Sequence, residues 1–140
     1  MTFKNVLSRR LDSGSAESLQ KSMRMFESYV KREGLETQGP IIMKSSSHLV
    51  DNTLISENVM MIQLKGALTN VEDPYAFNET IRLEGYIMLR YTGPMDMIEM
   101  ANMKLRVYAF ENCIDLGPNI YSVYTANDKG RVVDLFQEVL

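Results

Sequence analysis

Gly85-Tyr86-Ile87-Met88-Leu89-Arg90-Tyr91-Thr92-Gly93-Pro94 is the stretch that decides how the chain reads. A strand-like run from Gly85 to Tyr91 meets Thr92-Gly93-Pro94 and passes into a helical stretch that ends before Gly117-Pro118. Seventy-nine residues earlier, Ser13-Gly14-Ser15 joins Val6-Leu7-Ser8-Arg9-Arg10-Leu11 to a helical stretch that ends before Gly39-Pro40. On that register Leu19 matches Ile98, Phe26 matches Leu105, Tyr29 matches Tyr108 and Leu35 matches Ile114. One extra residue just before Gly39 changes the offset to seventy-eight at the Gly-Pro pair. The expected fold class is α+β: duplicated βαββ units with antiparallel sheets, repeat 1 over about 1–65, a linker at 66–80 and repeat 2 over about 81–140. The two main helices are expected on one side, and the junction of the halves leaves a groove on the other.

At 140 residues the chain is expected to form one domain, able to bury roughly two thirds of its unfolded surface. Its apolar content of 45% and charged content of 24% are those of an ordinary globular protein. The net charge is −3 and the cations are scattered. Nucleic-acid binding needs a concentrated positive face, so no direct nucleic-acid partner is expected. The N-terminal segment lacks the apolar run of a signal peptide, and no uncharged stretch approaches the roughly 20 residues of a membrane span. Cys113 is the only cysteine, which excludes an intrachain disulfide and suits a reducing compartment. The expected localisation is cytoplasmic, with no membrane partner.

Ser15 is positioned to cap the first helix, Glu17 sits in its positive first turn, and Gly34 follows its last residue. Leu19, Met23, Phe26 and Val30 form one apolar stripe between them. Ile41 to Lys44 and Val59 to Leu64 read as strands joined by a long polar loop, and Ile81 to Tyr91 reads as one continuous strand. The second helix is expected over about 94–112, with Pro94 in its first turn and Asp96 complementing its dipole. Ile98, Ala101, Leu105 and Tyr108 make one stripe on it, while Met100, Met103, Val107 and Phe110 make another. A helix apolar on two sides must be covered twice, so the second stripe is expected to be an interface. Ile120 to Tyr124 and Val132 to Val139 follow as strands around the turn Asn127-Asp128-Lys129-Gly130.

With Gly93-Pro94 opening the second helix, Gly39-Pro40 and Gly117-Pro118 ending the helix-to-strand loops, and the strand Tyr121-Ser122-Val123-Tyr124, the chain resembles the GyrI-like effector-binding domains, relatives of the SOUL haem-binding fold. It is also similar to a small group of Gram-positive proteins encoded near type VII secretion loci. The first resemblance implies a groove faced by a tyrosine and a buried glutamate on that strand. Tyr124 matches the tyrosine, Ser122 stands in place of the glutamate, and Met95 stands where an aromatic residue is common. Loss of the carboxylate counts against cationic ligands and against the hydrolase activity of some members. Lys44 is the repeat equivalent of Ser122 and favours an anionic or neutral ligand.

The residues expected to line the ligand groove are Tyr124, Ser122, Tyr91, Tyr86, Met88, Lys44 and Glu84. His48 and Cys113 are single and lie in different halves, with Cys113 expected to be buried at a helix end. They supply no zinc set, no haem ligation and no nucleophile–base pair, so no metal, cofactor or catalytic residue is expected. Two functions compete. In one the chain, a stand-alone effector domain without a DNA-binding segment, binds a small apolar or neutral molecule. In the other the methionine-rich helix makes a homodimer or docks a protein partner, and the groove is vestigial.

Overall fold

The computed structural model describes residues 1–12, 15–94, 97–127 and 130–140. The expectations that involve Ser13-Gly14, Met95, Asp96 and the tip of the Asn127–Gly130 turn lie outside the described residues. The element order is β1 (Thr2–Leu11), α1 (Ala16–Arg32), β2 (Ile41–Val50), β3 (Thr53–Gln63), β4 (Tyr75–Arg82), β5 (Tyr86–Thr92), α2 (Ile98–Glu111), β6 (Leu116–Asn127) and β7 (Gly130–Val139). The strands form one antiparallel sheet in the order β4-β1-β3-β2-β6-β7-β5.

The two outermost strands, β4 and β5, are consecutive in the chain and joined only by Leu83-Glu84-Gly85. Such a link spans at most about 14 Å, whereas the outer strands of a flat seven-stranded sheet stand about 28 Å apart. The sheet must therefore curl. Its inner face closes on itself as a core of Phe3, Val6, Ile42, Met61, Leu83, Tyr121, Val123 and Phe136, with Ile81 and Tyr86 packed in from the two edges. The groove expected on the side away from the helices is filled by these side chains.

Both helices lie on the outer face. Met43 packs in the cluster beneath α1 and pairs with Ser122; Tyr124, two residues further along β6, packs in the cluster beneath α2. Side chains paired across strands share a face, as do residues two apart on one strand. Under α1 the cluster is Leu7, Leu11, Phe26, Val30, Met60, Ile62 and Leu64. Phe26 meets Tyr75 edge-on and Tyr75 stacks on Tyr29, which ties β4 to the helix.

Three expectations are corrected here. Residues 75–80, taken as linker, belong to β4, which pairs along the free edge of β1 from Thr2↔Arg82 to Arg9↔Tyr75. The strand expected over Ile81 to Tyr91 is broken at Gly85, whose φ of +71° turns the corner. Ile81 and Leu83 consequently face the interior while Ile87, Leu89 and Tyr91 face α2. The polar loop expected after Lys44 is a ladder instead, continued by Ser45 Oγ donating to Asn58 Oδ1 (2.9 Å) and closed by Asp51 and Asn52. Their φ values of 51° and 64° suit a two-residue turn matched to the strand twist.

Ser15 caps α1 as expected, accepting from Ser18 N–H at 3.1 Å. At the other end Gly34 (φ +65°) donates to Lys31 O, and Leu35 N–H to Val30 O. The same two bonds close α2 seventy-nine residues later: Cys113 N–H to Phe110 O and Ile114 N–H to Ala109 O. Cys113 takes the left-handed conformation (φ +54°) and is exposed, not buried. The backbone, which must reverse at that position, decides its exposure. Pro94 lies ahead of α2, which begins at Ile98 behind Met97, a residue that makes no side-chain cap. Replacing Cys113 by Gly should relieve the left-handed conformation and stabilise the fold by about 1 kcal/mol, and Gly34→Ala should cost a similar amount. Urea unfolding midpoints of the two variants against the parent protein check both signs.

Candidate functional site

Helix α2 touches the sheet through small residues. Ala101, Leu105 and Ala109 are its buried positions, four residues apart, and the alanines let the helix approach Val133, Leu135, Ile87 and Leu89 closely. Four larger apolar residues stay outside: Met100, Met103, Val107 and Phe110 are 52%, 59%, 53% and 86% exposed. Tyr108, expected in the buried stripe, is half exposed because Ala109 takes the inward position.

The helix is anchored to β5 at its entrance. Tyr91 donates from its hydroxyl to Pro94 O at 2.6 Å, and Gly93 (φ +150°) lies so close that a Cβ there would be 3.0 Å from that hydroxyl. On its other side β5 is locked to β7 by Arg90, whose guanidinium grips the buried Asp134 carboxylate in two bonds of 2.8 and 3.0 Å. Because β5 ends the sheet, a furrow remains between its free edge and α2. One part, ≈ 420 Å³, is lined by Ile87, Met88, Leu89, Lys104, Leu105 and Tyr108. The next, ≈ 390 Å³, runs from Leu89 past Tyr91 and Pro94 to Met97, Met100 and Ala101. Lys104 borders both parts and is joined there by Arg90 in the second. The first part is mainly apolar and the second mixed, with Thr92, Arg90 and Lys104 among its walls.

The structure divides the expected ligand residues. Tyr91 and Met88 line the furrow. Tyr124 lies inside the same cluster that floors it, beside Ser122 on the outer face. Lys44 pairs with Tyr121, its ammonium 5.8 Å from that ring, and so faces the opposite side from Ser122, which pairs with Met43. Tyr86 packs edge-on against Tyr121 in the interior. Glu84 is exposed in the corner between β4 and β5, 3.6 Å from Arg82. Sequence reasoning missed Lys104 and Tyr108 as furrow residues; the alanines flanking Leu105 were the signal for which side of α2 meets the sheet.

Tyrosine environments follow the same division. Burial raises the Tyr124 hydroxyl above its ordinary pKa, while the Ser122 hydrogen bond opposes the shift. Tyr121 is pushed up to about 12, first by burial and then by Tyr86 and the Glu138 carboxylate. Tyr86 is raised as well, first by burial and then by the Glu138 carboxylate. Among the described residues no group of three His, Cys, Asp or Glu side chains could hold a metal ion, and no helix is long and apolar enough to cross a membrane. No protein-family model matches the chain, and comparison with curated proteins returns no match.

The Tyr121 shift has a definite sign. Below about pH 10 the tyrosine is neutral in both folded and unfolded chains, so its contribution is fully present. Between pH 10 and 12 the unfolded chain ionises and the folded one resists, so stability should fall as pH rises through that window. Unfolding midpoints measured from pH 9 to 12 should drop, and Tyr121→Phe should flatten the drop.

Proposed function

We propose that the protein is a small-molecule-binding module of the GyrI-like effector-domain type, holding a largely apolar ligand in the furrow between α2 and β5. The observation that carries this reading is a concave surface, apolar along Ile87, Met88, Leu89 and Leu105 and more polar toward Arg90 and Thr92, with Lys104 bordering both parts; that composition suits an apolar body with an anionic or neutral polar end. The duplicated βαββ architecture is part of the proposal. It is supported by a strand order that exchanges β1, β2 and β3 for β5, β6 and β7 when read from the opposite end, and by identical helix-ending bonds at Gly34 and Cys113. Aromatic and methionine walls bind by burying area and adapt to varied shapes. The Ser122–Tyr124 pair lies under the furrow rather than in it and would act by holding its floor.

A second reading is favoured by the outer stripe of α2. Met100, Met103, Val107 and Phe110 recur at three, four and three residues, the spacing of a helix-pairing seam. Glu99 and Arg106 flank one side of that seam, and Lys104 and Glu111 flank the other. Among the described residues none of these four has an ion-pair partner. Antiparallel pairing with a second copy would set Lys104 against the partner's Glu111 and Glu99 against the partner's Arg106, so the pattern is self-complementary.

Two measurements test these readings. Titration with anilinonaphthalene sulfonate, an apolar probe with one negative charge, should give a saturable fluorescence rise near one probe per chain. Tyr108→Ser should weaken it about tenfold, since an aromatic wall contributes on the order of 1–2 kcal/mol; a weak, unsaturable signal or an unaffected variant removes the furrow assignment. For the second reading, sedimentation equilibrium should show a dimer that Lys104→Glu dissociates and that Lys104→Glu with Glu111→Lys restores. A parent protein that stays monomeric at all concentrations would exclude it.

A further inference from the structure

Among the described residues Arg9 is the arginine drawn into the body of the protein. It lies on the α1 side of β1, between Leu7 and Leu11, and is only 9% exposed. A cation so placed ordinarily has a carboxylate partner, because its desolvation is costly and a paired charge recovers much of the loss. Among the described residues Arg9 has no ion pair. Nη1 donates to Arg10 O at 3.3 Å, the guanidinium stands 5.7 Å from the Tyr75 ring centre, and Nε–H is buried without an acceptor.

The same side chain lines a cleft of ≈ 410 Å³ between the end of β1 and the first half of α1. Arg10, Leu11, Asp12, Ser18, Lys21, Ser22 and Met25 complete its wall. Arg10 is tied to Asp73 at 3.1 Å, and Asp12, the one acid, has contacts of its own and donates its backbone N–H to Ser22 Oγ. Lys21 projects from α1 with no ion-pair partner among the described residues, so the cleft has two cations without counter-ions. Ser18 lies in the first turn of α1, the positive end of the helix dipole, and Ser22 keeps its hydroxyl hydrogen for donation.

We infer that this cleft is a binding site for a phosphate-bearing small molecule, with Arg9 and Lys21 as its charge partners and the Ser18 and Ser22 hydroxyls as donors. A guanidinium presents a planar fork to an oxyanion and an ammonium adds a point charge, while an anion supplies the counter-charge that buried Arg9 lacks. The site goes beyond the furrow reading: it sits under the other helix and stands or falls independently of it.

Thermal unfolding of the full chain, followed at constant ionic strength while chloride is replaced by inorganic phosphate or pyrophosphate, tests the site. Saturable stabilisation is expected, with pyrophosphate the tighter probe because it offers more charge and acceptors. Arg9→Met should abolish the phosphate response while leaving stability in chloride equal or higher, since it removes a buried cation without a counter-ion. Lys21→Ser, an exposed change that leaves the core untouched, should weaken the response about tenfold and gives the same comparison should Arg9→Met not fold. Absence of any saturable phosphate response in the parent protein overturns the inference. So does a response that survives either substitution unchanged.

Discussion

The three residues between Arg82 and Tyr86 constrain this molecule more than any helix does. They join the two outermost strands of a seven-stranded sheet, and a chain that short cannot span a flat one. Curling follows, and with it the division of the protein into an inner face that packs on itself and an outer face that takes both helices. The backbone reinforces the closure where Val139 N–H donates to Gly85 O and Leu83 N–H to Met1 O, drawing both chain ends to the same seam.

That geometry explains the uneven treatment of the two helices. The α1 helix lies over β1, beside the additional strand β4, and the Phe26, Tyr75 and Tyr29 rings close over its buried side. The α2 helix lies beside β5, the last strand at the other end, and among the described residues no further strand lies beyond it. Its outer methionines and the edge of β5 stay exposed as a consequence, and the furrow is what remains where a strand equivalent to β4 would have continued the sheet.

Much of the first helix was legible because its signals are local. Ser15, Glu17, Gly34 and the Leu19–Met23–Phe26–Val30 stripe each act within a turn or two of the backbone, and the structure has the helix where they place it. At the end of α2, Cys113 and Ile114 make the same pair of backbone bonds that Gly34 and Leu35 make at the end of α1. Strand limits were less legible. Ser45 to Val50 is mostly polar and carries no strand period, yet a ladder continues there through cross-strand serine contacts that no window of sequence displays. Tyr75 to Arg82 lacks clean alternation and became a strand because β1 offered an unpaired edge. The expected ligand residues scattered for a related reason: Lys44 was aligned with Ser122 by repeat counting, whereas the pairing of β2 with β6 sets Met43 opposite Ser122 and turns Lys44 to the other face. One residue of register exchanges the faces of a strand.

By itself the sequence determined the α+β class, the position and capping of α1, the two stripes of α2 and the residue types available to a ligand. Those properties depend on neighbours within a few positions, where backbone geometry and side-chain period act directly. Tertiary structure alone decided that the sheet curls, that its interior is core rather than groove, that Met88 and Tyr91 each come to line a furrow with Lys104 beside α2, and that Arg9 is buried without a counter-ion among the described residues. Each of those depends on contacts between segments far apart in the chain, set by strand order and register, which local pattern does not encode.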